Sequence, residues 1–255
     1  MKGWENMNAT INLQMNHRSI RKFEDKSLSK EQIKTIVESA QSASTSSFIQ
    51  AYSIIGVTDH EKKEKLAQLA GNQSYVARNG HFFLFCADFF RHELIGEMEG
   101  KNVQASLEST EKFMVALIDT ALAAQNAALA AESMGLGICY IGGIRNHLEE
   151  VCKLLKIPSR VLPLFGLAVG YPEKMTDKKP RLPYEHVYHE NEYEQNEEEY
   201  RNQLETYNKI ISNYYAERTN GERKDTWTSQ MASMLEKHTR MSMKEFVHMK
   251  GFNRK

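Results

Sequence analysis

Four polar donors occur in the five residues His17-Arg18-Ser19-Ile20-Arg21, with Ile20 the one apolar member and Phe23 just behind them. Arg18 and Arg21 offer planar guanidinium forks, which match a phosphate bidentately. Ser19 and the neighbouring amides add neutral donors. Taken alone, the run reads first as a solvated basic turn. Other chemistries leave no such mark. The nine histidines show no H-x-x-x-H or His–Cys spacing that would hold a metal. There is no G-x-S-x-G elbow, no Walker A sequence and no G-x-G-x-x-G fingerprint. Cys86, Cys139 and Cys152 lie in or beside apolar runs and form no C-x-x-C pair. They read as reduced, buried thiols of a cytosolic protein, and none is assigned as a nucleophile.

The whole chain sets few limits on this chemistry. Its 255 residues suit one large domain or two small ones. Lysine plus arginine and aspartate plus glutamate both number 33, so a formal net charge of +0 gives no pull toward nucleic acid or an anionic membrane. No secretory signal is read in Met1 to Asn16. The longest apolar tract, Met114 to Ala131, is broken by Asp119, Gln125 and Asn126 and is mostly alanine, which argues for a core helix rather than a membrane span. The cytoplasm is the default location.

The elements that must position the donors follow in order. Met7 to Met15 is weakly helical. Ser29-Lys30-Glu31-Gln32 has the form of a capping box, and Ile33, Ile36, Val37 and Ala40 then give the stripe of a half-buried helix. Ser53 to Val57 and His81 to Ala87 read as buried strands, with a charged helix, Asp59 to Leu69, between them. Phe89 to Gly100 reads as irregular. Ala105 to Met134 reads as one long helix ended by Gly135 and Gly137. Leu136 to Ile141 and Val161 to Val169 are further strands, separated by a helix from Arg145 to Leu155 that Pro158 stops. Glu197 to Tyr215, Thr226 to Lys237 and Met243 to Met249 read as helices, with a basic loop from Arg218 to Lys224. The central helix is too long for an ordinary crossover, so the expectation is an α+β fold with a mixed central sheet flanked by helices and a long buried core helix.

The runs H-R-S-I-R, A-A-E-S-M-G-L-G, Y-I-G-G-I-R-N and L-P-L-F-G-L-A-V-G-Y-P are together specific. From about His17 to Trp227 the chain resembles the nitroreductase superfamily, in its branch of NADPH-dependent FMN enzymes that act as oxygen-insensitive nitroreductases and flavin reductases. The resemblance implies an α+β homodimer holding one FMN per subunit at the dimer interface. It implies a single FMN-binding domain over 8–255, with 190–255 as a C-terminal helical excursion. By position, His17, Arg18, Ser19 and Arg21 would meet the FMN, with Lys179 and Arg181 adding charge at its phosphate. Thr45, Ser46 and Ser47 would line the site from the partner subunit. Gln73 and Tyr75 would approach the flavin edge or ribityl chain. Tyr140, Ile141, Gly142 and Gly143 would pass beside the ring, where glycine allows close backbone approach.

Arg218 and Arg223 would capture the 2′-phosphate of NADPH. Glu222 beside Arg223 weakens that preference and leaves NADH open as a donor. Glu111, at the start of the long helix, matches a glutamate the family places near the active site; an ordinary first-turn glutamate favoured by the helix dipole explains it as well. The implied activity is ping-pong hydride transfer from NADPH through FMN to flat acceptors such as nitroaromatics, quinones or free flavin. The alternatives are a non-catalytic FMN-binding module or sensor, or another flavin chemistry of the same superfamily.

Overall fold

The computed structural model describes residues 8–255, so Met7 and the extension before it lie outside the described residues. The chain divides into two compact units. One runs through Thr176 and takes in Arg240–Lys255; the other is Asp177–Thr239.

In the first unit, α1 (Ala9–Met15) starts on Asn8, whose side chain accepts the Ile11 N–H. The capping box of α2 (Lys30–Gln41) is present in both directions, at 3.1 Å to Ser29 Oγ and 2.9 Å to Gln32 Oε1. Then come β1 (Tyr52–Val57), α3 (His60–Leu69) capped by Asp59, the single turn α4 (Ser74–Ala77) and β2 (His81–Asp88). The stretch expected to be irregular is a helix, α5 (Phe90–Met98). Its Phe90, Leu94, Ile95 and Met98 side chains are exposed, so no buried stripe marks its period in the sequence.

The long helix also begins later than its apolar content suggests. A short α6 (Gln104–Leu107) ends at Glu108, and Ser109 caps α7 (Thr110–Ser133) by accepting the Lys112 N–H. Gly135 takes a left-handed φ of +75° after α7, while Gly137 already belongs to β3 (Gly137–Ile141). Gly142–Asn146 is a 3-10 turn, and α8 (Leu148–Leu155) follows, ended by left-handed Lys156 before Pro158 is reached.

The last strand is β4 (Val161–Gly170). Sheet order is β1-β2-β4-β3, and every ladder is antiparallel. The register shifts between Phe85 and Cys86, opposite Pro163, which has no N–H to give the ladder. The mixed sheet expected from alternating strands and helices is therefore reduced, among the described residues, to one parallel bridge, Ser19 to Ile138. Alternation carries no information on direction: a 24-residue helix is roughly 36 Å long and can return the chain to either end of a strand.

β2 is buried at every residue and divides two apolar layers. Phe82, Leu84 and Cys86 point into one; Phe83 and Phe85 point into the other, against Ile36 and Ala40 of α2 and the alanines 123, 124, 127, 128 and 131 of α7. Each buried phenylalanine contributes about 2–3 kcal/mol. By length and mean hydropathy (1.5 in its most apolar window) α7 could cross a membrane, yet it buries Asp119 and Thr120 in this core.

The second unit pairs α9 (Glu197–Arg218) with α10 (Trp227–Leu235) over Tyr207, Ile211 and Tyr215. The end of the chain, with α11 (Met243–Met249), packs within the first unit, where Phe252 is fully buried and stacks on Phe89.

Candidate functional site

The donor run is fastened to the open edge of the sheet. Ile20 N donates to Ile138 O at 2.9 Å, and the Ile20 side chain is buried. A Cβ at residue 137 would come within 2.7 Å of Ile20 Cγ1, so the glycine there allows this approach. His17 Nδ1 lies 2.7 Å from Glu132 Oε1, on the last turns of α7. Arg18 Nε donates to Asn16 O at 2.9 Å and its NH1 to Thr176 O at 3.3 Å. Ser19 and Arg21 both reach Cys139 on β3: burial pushes that thiol up, and Arg21 and a Ser19 hydrogen bond oppose the push. Arg21 also faces Tyr75, whose hydroxyl burial raises above the usual phenol value. Among the described residues, neither Arg18 nor Arg21 forms a salt bridge.

The loop before α4 completes this cradle. Tyr75 OH donates to Gln73 Oε1 at 2.5 Å, and Gln73 Nε2 donates to Ala70 O at 2.6 Å. A Cβ on Gly143 would sit 2.3 Å from Ala70 O and 2.6 Å from Gln73 Nε2, so only glycine fits there. Tyr140 OH donates to Ala124 O at 2.9 Å, and its ring meets Phe165 edge-on. Ile141 is buried, and Gly142 lies against the guanidinium of Arg145, which donates to Leu164 O at 2.6 Å. His17 to Arg21, Gln73, Tyr75 and the residues Tyr140 to Gly143 thus gather around one end of β3.

Two predicted groups do not join them within the chain. Thr45, Ser46 and Ser47 sit where Ser46 N donates to Asp119 Oδ1 at 2.9 Å. Asp119 precedes Glu132 by thirteen residues, about 20 Å along α7. Glu111 is exposed in the first turn of α7, roughly 31 Å along the axis from the Glu132 that holds His17. Glu111 is thus a first-turn glutamate in the position the helix dipole favours, and within one chain it does not meet the His17 run.

In the second unit, Tyr215 is the meeting point. Lys179 Nζ stands 5.4 Å and Arg223 Cζ 4.3 Å from its ring centroid. A hydrogen bond from Lys179 holds its hydroxyl below the usual phenol value. Arg223 Nε donates to Asp225 Oδ2 at 2.8 Å, so its carboxylate partner is Asp225 rather than the adjacent Glu222. Arg218 is the last residue of α9 instead of a loop residue, and its NH1 donates to Tyr214 OH at 3.0 Å. Arg181 NH1 donates to Lys179 O at 3.3 Å.

Sequence reasoning missed Glu132, Cys139, Arg145 and the anchoring role of Asp119. Glu132 and Arg145 lay inside recognised motifs, and Asp119 was visible as a charge in an alanine-rich helix. None of these carried a local sign of its partner.

Arg18 and Arg21, which form no salt bridge among the described residues, and the close-packed Gly137 and Gly143 thus lie together at the edge of the sheet. The chain belongs to the nitroreductase family: the Nitroreductase family model matches residues 15–171, and the model of the family's C-terminal domain matches residues 179–255. It is 57% identical over 248 residues to an FMN reductase (NADPH) of Bacillus subtilis (strain 168), covering 97% of this chain and 100% of that protein. It is also similar to the solved structure of B. megaterium NfrA1 (69% identity, TM-score 0.96, 97% of this chain and 100% of that one). A third likeness is to NfrA1 nitroreductase from B. subtilis (57% identity, TM-score 0.95, 96% and 100%).

Proposed function

We infer that the chain is an FMN-dependent oxidoreductase that draws electrons from NADPH and passes them to small flat acceptors, namely nitroaromatics, quinones or free flavin. The observation that carries this reading is Arg21, a guanidinium without a salt bridge, set beside Tyr75 and Cys139 in a cradle that glycine alone can line at residue 143. That donor set fits FMN. Arg18 and Arg21 would hold the phosphate, with His17 and Ser19 beside them. Gln73 and Tyr75 would read the flavin edge, and Tyr140 to Gly143 would flank the ring. When bound, FMN supplies the two-electron chemistry that links a nicotinamide to a flat acceptor. Arg218 and Arg223 would select NADPH by its 2′-phosphate, and the Asp225 contact tempers that choice enough to keep NADH a usable donor.

A shared slot for donor and acceptor makes the kinetics ping-pong. Thr45, Ser46 and Ser47 serve the site of a second copy in a homodimer, a reading supported by the exposed stripe Met114, Ile118 and Leu122 on α7. The free cysteines, two of them buried, suit a reducing cytoplasm. Anaerobic mixing with NADPH or NADH tests the proposal. Rapid loss of flavin absorbance with NADPH, slowed in the Arg218→Ala, Arg223→Ala double variant, is expected. A yellow protein that neither nucleotide bleaches would leave only an FMN-binding module.

A further inference from the structure

Asp119 carries one of the best-protected charges in the chain. It is fully buried on α7, and no lysine, arginine or histidine lies within salt-bridge distance of it among the described residues. Its oxygens are both spent on backbone: Oδ1 accepts from Ser46 N at 2.9 Å and Oδ2 from Ala51 N at 3.1 Å. A buried carboxylate without a counter-ion is costly, and charge-assisted bonds to N–H groups are what make it tolerable. The segment between its two anchors is strained. Ser47, Phe48 and Gln50 have φ of 50°, 58° and 53°, left-handed conformations that side-chain-bearing residues adopt only when their surroundings over-determine them. Phe48 is 82% exposed, so the chain's own core does not impose this shape.

We propose that Asp119 is a positioning residue for the flavin site of the opposite copy in the dimer: it clamps the Thr45–Gln50 loop in the one conformation that presents the Ser46 and Ser47 hydroxyls and the Phe48 ring there. The inference rests on the FMN reading given above. Within one chain the two halves of the site diverge along α7, since Asp119 anchors the loop and Glu132 anchors His17. A two-fold axis brings the loop of one copy to the cradle of the other. Asp119 then governs flavin binding without touching flavin.

The test compares Asp119→Asn with Arg21→Ala. The asparagine keeps the shape but turns a donor toward one of the two N–H groups. Asp119→Glu, which keeps both acceptors and moves them by a methylene, serves if the asparagine variant does not fold. FMN affinity and the bound-flavin spectrum are measured on folded protein well below its Tm. A folded Asp119 variant should bind FMN about tenfold or more weakly, with a shifted visible band. Next, Arg21→Ala and the Asp119 variant are co-expressed with different tags and only mixed pairs are kept. Each mixed pair should regain one tight site, because one copy's intact cradle meets the other's intact loop. A lower Tm with unchanged FMN affinity and spectrum would reduce Asp119 to a structural role and overturn the proposal. Mixed pairs without a tight site would overturn its placement across the dimer. If Arg21→Ala leaves FMN affinity unchanged, the FMN reading itself fails and this inference with it.

Discussion

Acid should weaken this protein through a single buried imidazole. His81 opens β2 and is 5% exposed; both of its ring nitrogens are buried without a hydrogen-bond partner. Its ring stands 4.3 Å from that of Phe83, and a Cβ at Gly56 would meet its Nε2 at 2.8 Å. Burial, helped by the nearby Lys63 ammonium, pushes its pKa down to about 4. An unfolded chain binds the same proton near 6.5. Between those values the unfolded state holds more protons, so stability rises with pH across the window. The contribution is whole above pH 6.5 and is lost as pH falls toward 4. At ~1.4 kcal/mol per pH unit the full loss is about 3 kcal/mol, of which about 2 kcal/mol is gone by pH 5. Urea unfolding at pH 7.5 and pH 5, with FMN held at one concentration, reads this difference. In His81→Phe, which fits beside Phe83 and carries no proton, that part of the pH dependence should vanish. Equal slopes in wild type and variant would refute the reasoning. So would a variant some 2 kcal/mol less stable at pH 7.5, because the ring nitrogens would then have had partners.

Three further outcomes follow from the same geometry. Gly143→Ala should fold less stably and bind FMN at least about tenfold more weakly in apo-protein titrations, because its methyl would meet Ala70 O at 2.3 Å. Arg223→Ala should raise the KM for NADPH by about 10- to 100-fold and leave that for NADH nearly unchanged, the signature of a lost charge-assisted contact in steady-state kinetics. Arg160→Ala should cost about 3 kcal/mol in urea unfolding: the buried guanidinium joins Glu93 at 3.0 Å, Glu108 at 3.3 Å and Gly251 O, and its loss strands that carbonyl and leaves buried Glu108 with Arg254 as its one guanidinium partner. An Arg160 variant as stable as wild type would mean that the carboxyl-terminal residues do not depend on this clasp.

The parts of this molecule that read directly from sequence are those whose physics is local. The capping box at Ser29 and Gln32, the all-apolar β2 and the donor run His17 to Arg21 each declare themselves within a few residues. Strand direction does not, since it depends on where a long helix sets the chain down. Glu111 stays ambiguous in the sequence because a glutamate in a first helical turn is explained twice, by a place at the site and by the helix dipole, and spacing cannot separate the two. α5 was invisible because its apolar residues face outward and leave no stripe.

The polar residues of α7 show how the rest could be read. In an alanine-rich core helix a buried polar side chain needs a partner; Thr120 finds one in its own helix, Ala116 O at 2.6 Å, and three others find theirs far away in sequence. Asp119 takes the N–H groups of Ser46 and Ala51, Asn126 Nδ2 donates to Ser39 O at 3.2 Å, and Glu132 meets His17. Burial without such a partner would cost more than the helix gains from the substitution of an alanine. Polar punctuation in an apolar helix is therefore more than an argument against a membrane span. It marks the places where the helix must hold another segment, and in this chain two of the three segments held, the Ser46 loop and the His17 run, belong to the proposed flavin site.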